Sequence, residues 1–106
     1  MSKNKLTTFG ETIKRLREEQ NLPQRKVAAH LDIDTSLLAK YERNVRQPSK
    51  ELIAKIADLF KVDKEALISE ALTDKIAYQI IEEKADSKLL RVAEGKVEYL
   101  KTKINL

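Results

Sequence analysis

The chain contains no cysteine and no tryptophan, and only one histidine, two glycines and two prolines among its 106 residues. Without cysteine it forms neither disulfides nor thiolate metal sites, and one histidine excludes a multi-histidine metal site. No apolar run resembles a signal peptide, and none approaches the roughly 18 apolar residues of a membrane span. We therefore expect a soluble, cytoplasmic protein with no metal, no cofactor and no membrane partner.

The same absences argue against an enzyme. One histidine, no cysteine, no glycine-rich phosphate loop and no convergent carboxylate pair leave nothing from which to build a reaction centre. His30 falls on the outer face of a predicted helix and is interpreted as a surface residue. We expect no catalytic residue, and no small-molecule effector is evident.

Helix-forming residues dominate the composition, which is 42% hydrophobic and 36% charged. This composition favours an all-α domain with one modest core. The charge is uneven: +5 in residues 1–50 and −1 in residues 51–106, which together make the formal net charge of +4. The positive excess therefore lies in the first half, where a polyanion such as DNA would bind, although an ordinary basic surface is the alternative.

Capping signals and apolar spacing predict five short helices between residue 8 and about residue 70. Thr8 and Glu11 have the spacing of a capping box, and Asn44 suits a left-handed turn after the third helix. Residues 1–7 are expected to form a loose arm, and residues 1–70 the whole first domain. The other expected helix starts are Pro23, Asp34 or Thr35, Ser49 and Asp63.

Residues 71–106 are expected to form a C-terminal helical extension, with a break near residues 84–87. Beyond the break, apolar residues recur at spacings of four, four, three and four, which predicts an amphipathic helix. This stripe either pairs with a second chain, in the commonest twofold manner, or folds back as a hairpin within its own chain. We call it the C-terminal stripe: Leu89, Ala93, Val97, Leu100 and Ile104.

The most informative segment is 22–49, LPQRKVAAHLDIDTSLLAKYERNVRQPS, in which two short helices flank a tight turn. It resembles the phage-repressor (Cro/repressor) type of helix-turn-helix in the xenobiotic-response-element-like family of regulators. The resemblance covers about residues 9–70 and implies a five-helix DNA-binding domain. Pro23 replaces the usual capping serine and Asn44 the usual glycine. The matching positions are Leu22-Pro23-Gln24, Val27-Ala28, the Asp32–Asp34 turn, Tyr41-Glu42-Arg43-Asn44 and Pro48-Ser49.

This resemblance implies a recognition helix near residues 35–43 that enters the major groove of DNA. Lys40 suits guanine, and Thr35 and Ser36 suit bases or phosphate. Leu37 either touches a thymine methyl group or packs beneath the helix, and the sequence leaves both open. The predicted base contacts are Thr35, Ser36, Leu37 and Lys40.

The predicted phosphate contacts lie on the flanks of this helix. In the family, the residue matching Gln24 contacts the DNA backbone, and Arg25, Arg43 and Arg46 are further candidates. Each arginine could equally be an ordinary solvated charge. Lys3 and Lys5 either add contacts through the arm or belong to a soluble tail.

Two residues of the motif are expected to be structural. The family counterpart of Glu42 pairs with an arginine of the first helix, which implies an Arg17–Glu42 ion pair. Tyr41 is expected to pack in the core.

Together these features predict a dimeric, sequence-specific DNA-binding regulator of transcription, a repressor, acting on a palindromic operator in a bacterial or phage setting. The alternative is a protein–protein interaction module, or an antitoxin or controller-type partner protein, that uses the same helical bundle. Salt dependence combined with sequence preference would separate the two readings.

Overall fold

The computed structural model describes residues 6–104, and within them all regular structure is helical. The prediction of an all-α protein with a C-terminal helical extension is therefore confirmed. The fifth helix continues past residue 70, and the predicted break near residues 84–87 separates it from the sixth. The helices are α1 (Phe9–Glu19), α2 (Gln24–Leu31), α3 (Thr35–Glu42), α4 (Lys50–Phe60), α5 (Lys64–Glu82) and α6 (Ser87–Ile104).

Side-chain caps begin several of these helices. At α1 the predicted capping box is present: the Glu11 backbone N–H donates to Thr8 Oγ1, and the Thr8 N–H donates to Glu11 Oε1. Ser49 and Asp63 accept backbone N–H groups at the starts of α4 and α5. Each cap satisfies a donor that has no partner inside its helix, so these local residues determine where the helices begin.

Residues with a left-handed backbone conformation follow the helix ends, and none of them is glycine. Asn21, Asp32, Asn44, Lys61 and Lys84 have φ between 55° and 60°. Such a residue lets the last helical carbonyls accept backbone N–H groups from the following turn. Asn and Asp tolerate this conformation better than most residues, and Asn44 adopts it where the family usually has glycine.

One hydrophobic core holds α1 to α5 together. α1 and α2 both pack against α3 and α4. The chain divides into two compact units inside α5, between Asp74 and Lys75, and the core belongs to the first unit. The buried core residues are Phe9, Ile13, Val27, Ala28, Leu31, Leu38, Tyr41, Ile53, Ile56, Ala57, Phe60, Leu67 and Ala71.

None of the helices within residues 6–104 combines the length and apolar character needed to cross a membrane. In the same residues no group of three or more His, Cys, Asp or Glu side chains is placed to hold a metal ion.

Candidate nucleic-acid interface

A three-residue turn joins α2 to α3. Asp32 takes the left-handed conformation, and the backbone N–H of Ile33 donates to Ala28 O at 3.0 Å, which closes the end of α2. Ile33 is half-buried against the core and so anchors the turn. Asp34 then occupies the N-cap position of α3 with an extended backbone, and its side chain makes no capping hydrogen bond. The two helices are thereby arranged as a helix-turn-helix.

The faces of α3 separate the core from solvent. Leu38 and Tyr41 are buried, whereas Thr35, Ser36 and Lys40 are exposed. The three exposed side chains come from the N-terminal end of the helix and its outer face. They are hydrogen-bonding groups of the kind that read base edges or phosphates.

Leu37 lies between these two faces. It is half-buried and packs against the core cluster, which is the packing role that the sequence left open. Part of its surface stays exposed.

A buried network fixes α3 to α1 and α2. Arg17 Nε donates to Glu42 Oε2 at 2.7 Å, and Arg17 Nη2 donates to Glu42 Oε1 at 3.0 Å. The third hydrogen bond of Arg17 goes to the Leu22 carbonyl, which accepts from Arg17 Nη1 at 2.9 Å. The Glu42 side chain is only 3% exposed. The hydrogen bond to Glu42 raises the pKa of Arg17 above its ordinary value, against the opposing effect of burial.

Gln24 joins the same network. Its Nε2 donates to Glu42 Oε1 at 2.9 Å, so its side-chain amide is held against α3. Because Gln24 is the first residue of α2, its backbone N–H is one of those at the helix start that have no acceptor within the helix. The backbone at this position therefore remains suited to an anion such as a phosphate.

The three arginines predicted to contact phosphates lie outside α3. Arg25 at the start of α2, Arg43 after α3 and Arg46 in the following loop are all exposed. No ion pair within residues 6–104 engages any of them. Since none of them forms an ion pair with a described carboxylate, their charges are available to phosphates. Lys3 and Lys5 lie outside the described residues.

Asn44 makes contacts that the sequence did not reveal. Its Oδ1 accepts the Gly10 N–H at 3.0 Å, and its Nδ2 donates to Thr8 Oγ1. A Cβ on Gly10 would lie 2.5 Å from Tyr41 O and 2.6 Å from Glu42 O. The start of α1 therefore touches the end of α3 directly, and only glycine allows this approach.

Asp74 is a second residue that sequence reasoning missed. Its Oδ2 accepts the Phe9 N–H at 2.7 Å, and the residue is buried. Burial raises the pKa of Asp74, the Phe9 hydrogen bond opposes the rise, and Glu70 and Glu11 add to it. The spacing of the sequence could have predicted this burial, since Asp74 follows the buried Leu67 and Ala71 on the same face of α5.

The C-terminal stripe lies entirely on α6, where none of the residues is buried. Leu89, Val97, Leu100 and Ile104 are each half or more exposed. The neighbouring end of α5 contributes the apolar Ile76 and Ile80 to a groove shared with the start of α6.

Residues 13–67, more than half of the chain, match the helix-turn-helix family. A solved chain from a SinR protein/SinI protein complex has a similar fold, with a TM-score of 0.54 and 20% identity over 90% of this chain and 99% of that one. At this identity the likeness concerns the fold, and it extends beyond residues 13–67. No curated protein matches the chain significantly.

Proposed function

Because the chain belongs to the helix-turn-helix family, we propose that it is a sequence-specific DNA-binding regulator of transcription that acts as a dimeric repressor. The observation that carries this proposal is the exposed polar face of α3, held in place by the buried Arg17–Glu42–Gln24 network. A rigidly held helix with exposed hydrogen-bonding groups is what major-groove recognition needs. Family membership and the lack of any convergent reactive group in the sequence both favour a non-enzymatic role.

Thr35, Ser36 and Lys40 are proposed to read bases from α3, and Leu37 to contribute its exposed edge to a thymine methyl group. The three exposed arginines are proposed to contact phosphates, together with the α2 N-terminus at Gln24. In this role the Gln24 side chain stays on Glu42 while its backbone N–H faces the DNA.

Residues 1–70 are proposed to bind DNA and residues 71–106 to hold the dimer. The exposed C-terminal stripe supports this division, because an apolar helix face of this length is normally covered. A twofold dimer would present two recognition helices to two half-sites of a palindromic operator.

The test is selection of binding sites from random duplex DNA with the purified protein, at two salt concentrations. We expect a palindromic motif, and binding that weakens steeply as salt rises. Lys40→Ala should relax one base position per half-site, by about 1–3 kcal/mol of discrimination. Leu37→Ala should relax an adjacent position if the thymine contact exists. Lys55→Ala, which removes an exposed lysine of α4, is the matched control and should leave the motif unchanged.

A protein-interaction module is the second candidate, and the exposed apolar face of α6 favours it. The structural neighbour was itself solved in a complex of two proteins, SinR and SinI. Salt-sensitive binding without sequence preference, or no DNA binding at all, would support this candidate over the first.

A further inference from the structure

The C-terminal stripe borders an apolar groove within the second compact unit. Ile76 and Ile80 of α5 face Leu89, Leu90 and Ala93 of α6 across a space of about 300 Å³. The groove covers these residues only in part, since Leu89 remains 57% exposed and Leu90 37% exposed. Beyond it, Leu100 and Ile104 continue the same stripe towards the end of α6.

The stripe is nearly symmetric about its own midpoint. Leu89 and Ile104 lie equally far from a point between residues 96 and 97, as do Ala93 and Leu100, and Val97 lies beside that point. Two copies of α6 that cross there in opposite directions would place Leu89 against the partner's Ile104 and Ala93 against the partner's Leu100. The same stripe then serves both chains, as a twofold interface requires.

The charges beside the stripe fit the same arrangement. Glu94 and Lys101 are seven residues apart and therefore lie on one flank of α6. When two helices pair antiparallel, positions on the same flank face each other, so each Glu94 would meet the partner's Lys101. Within residues 6–104 Glu94 has no ion pair, and Lys101 has only an exposed contact with Glu98 at 3.9 Å.

From these observations we infer that the occupant of the groove is a second copy of this chain, whose α6 lies antiparallel with its Leu100 and Ile104 inserted beside Ile76 and Ile80. This inference rests on the proposed dimer and adds its direction and register. The arrangement covers the exposed part of the stripe in both copies and forms two equivalent Glu94–Lys101 pairs. On the other flank it brings the two Lys96 side chains near the axis, a mild repulsion between exposed charges.

Engineered cysteines test this register cleanly, because the natural chain has none. In the antiparallel dimer, Val97→Cys lies beside the twofold axis and should form a disulfide with itself. Ala93→Cys should not, since two such residues would lie about 10 Å apart along the helices, beyond disulfide reach. Leu100→Cys alone should likewise remain reduced, whereas an equimolar mixture of Ala93→Cys and Leu100→Cys chains should give the mixed disulfide.

Charge reversal supplies a second test that leaves the apolar residues intact. Glu94→Lys should raise the dimer dissociation constant by roughly tenfold, because two attractive pairs become repulsive. The double variant Glu94→Lys/Lys101→Glu should restore it to within about threefold. Glu65→Lys makes the same change in net charge at an exposed residue of the first compact unit and is the matched control, with little expected effect.

Each outcome decides a different question. A dimer in which Ala93→Cys and Leu100→Cys each cross-link with themselves is parallel, and it overturns the inference while leaving the proposed function intact. The inference alone is also overturned if sedimentation equilibrium shows a dimer but no cysteine placed on α6 forms a disulfide and no charge reversal weakens the dimer. A chain that sediments as a monomer overturns both the inference and the proposed dimer. Site selection on DNA, run separately, still reports whether α3 recognises sequence.

Discussion

Replacing Arg17 by Met tests how α3 is held in place. The substitution keeps much of the side-chain volume, but it removes the guanidinium that gives Glu42 two of its three hydrogen bonds. Glu42 would then remain as a buried carboxylate whose only partner is the Gln24 amide. The Leu22 carbonyl would also lose its donor.

The expected loss in the free energy of unfolding is about 3–5 kcal/mol, the usual effect of removing one partner of a buried ion pair. The upper part of this range is favoured because the side chains of Arg17 and Glu42 are only 11% and 3% exposed. In contrast, the double variant Arg17→Met/Glu42→Leu leaves no buried charge. We expect it to lie within about 1–2 kcal/mol of the natural protein, because apolar replacement of a whole buried pair is often close to neutral.

Urea unfolding followed by circular dichroism measures these differences. Protein concentration must be equal in all samples, since dimerisation would shift apparent stability. Arg15→Met is the matched control, because the Arg15–Glu19 pair is exposed and worth little. A loss below about 1 kcal/mol for Arg17→Met would refute the reasoning. So would a double variant as unstable as the sum of the two single variants, because the coupling would then be absent.

The remaining predictions concern the start of α1 and the helix ends, and unfolding measurements check all of them. Gly10→Ala should destabilise the protein by about 1–3 kcal/mol, because the new Cβ would meet backbone oxygens. At Gly95 a new Cβ meets no atom within 4 Å, so Gly95→Ala should stabilise the protein by about 0.5–1 kcal/mol. Equal effects of the two variants would contradict the close approach at Gly10. Asp74→Ala should cost about 1–3 kcal/mol by leaving the Phe9 N–H without an acceptor, whereas Asp74→Asn should not. Because the pKa of Asp74 is raised in the folded state, its contribution to stability is full below its unfolded pKa and is lost as pH rises through the folded value. Asp74→Asn should therefore remove a fall in stability that begins as pH rises above the ordinary pKa of an aspartate, and an unchanged pH profile would refute this. Asn44→Gly loses the two side-chain hydrogen bonds but still favours the left-handed turn, whereas Asn44→Ala loses the hydrogen bonds and also strains the turn. Asn44→Gly should therefore destabilise the protein less than Asn44→Ala. The reverse order would show that the turn conformation is unimportant.

Helix starts, the break before α6 and the faces of the helices could be predicted because their causes lie within a few residues. The Thr8–Glu11 capping box and the Ser49 cap each join residues three apart in the chain. The inward faces of Leu38 and Tyr41 follow from helical spacing alone. The left-handed turn at Asn44 follows from a local conformational preference.

The candidate site was predictable only in outline. The residue types on the exposed face of α3 followed from spacing, and the ion pair between Arg17 and Glu42 was expected only from the family resemblance. Spacing did not resolve whether Leu37 packs in the core or faces DNA, because the burial of a residue at the edge of a helix face depends on which elements pack beneath it. The structure shows the core beneath part of Leu37.

By itself, the sequence determined the all-α class, the helix-turn-helix and the apolar stripe of α6, since these depend on local caps and on periodicity. Only the tertiary structure decided that Asp74 holds the start of α1, that Asn44 and Gly10 join α1 to the end of α3, and that Gln24 turns its amide to Glu42. These contacts join residues 65, 34 and 18 positions apart in the chain. The physical reason is that such partners meet only after the core has brought their helices together, and no local pattern records which buried donor will face which acceptor.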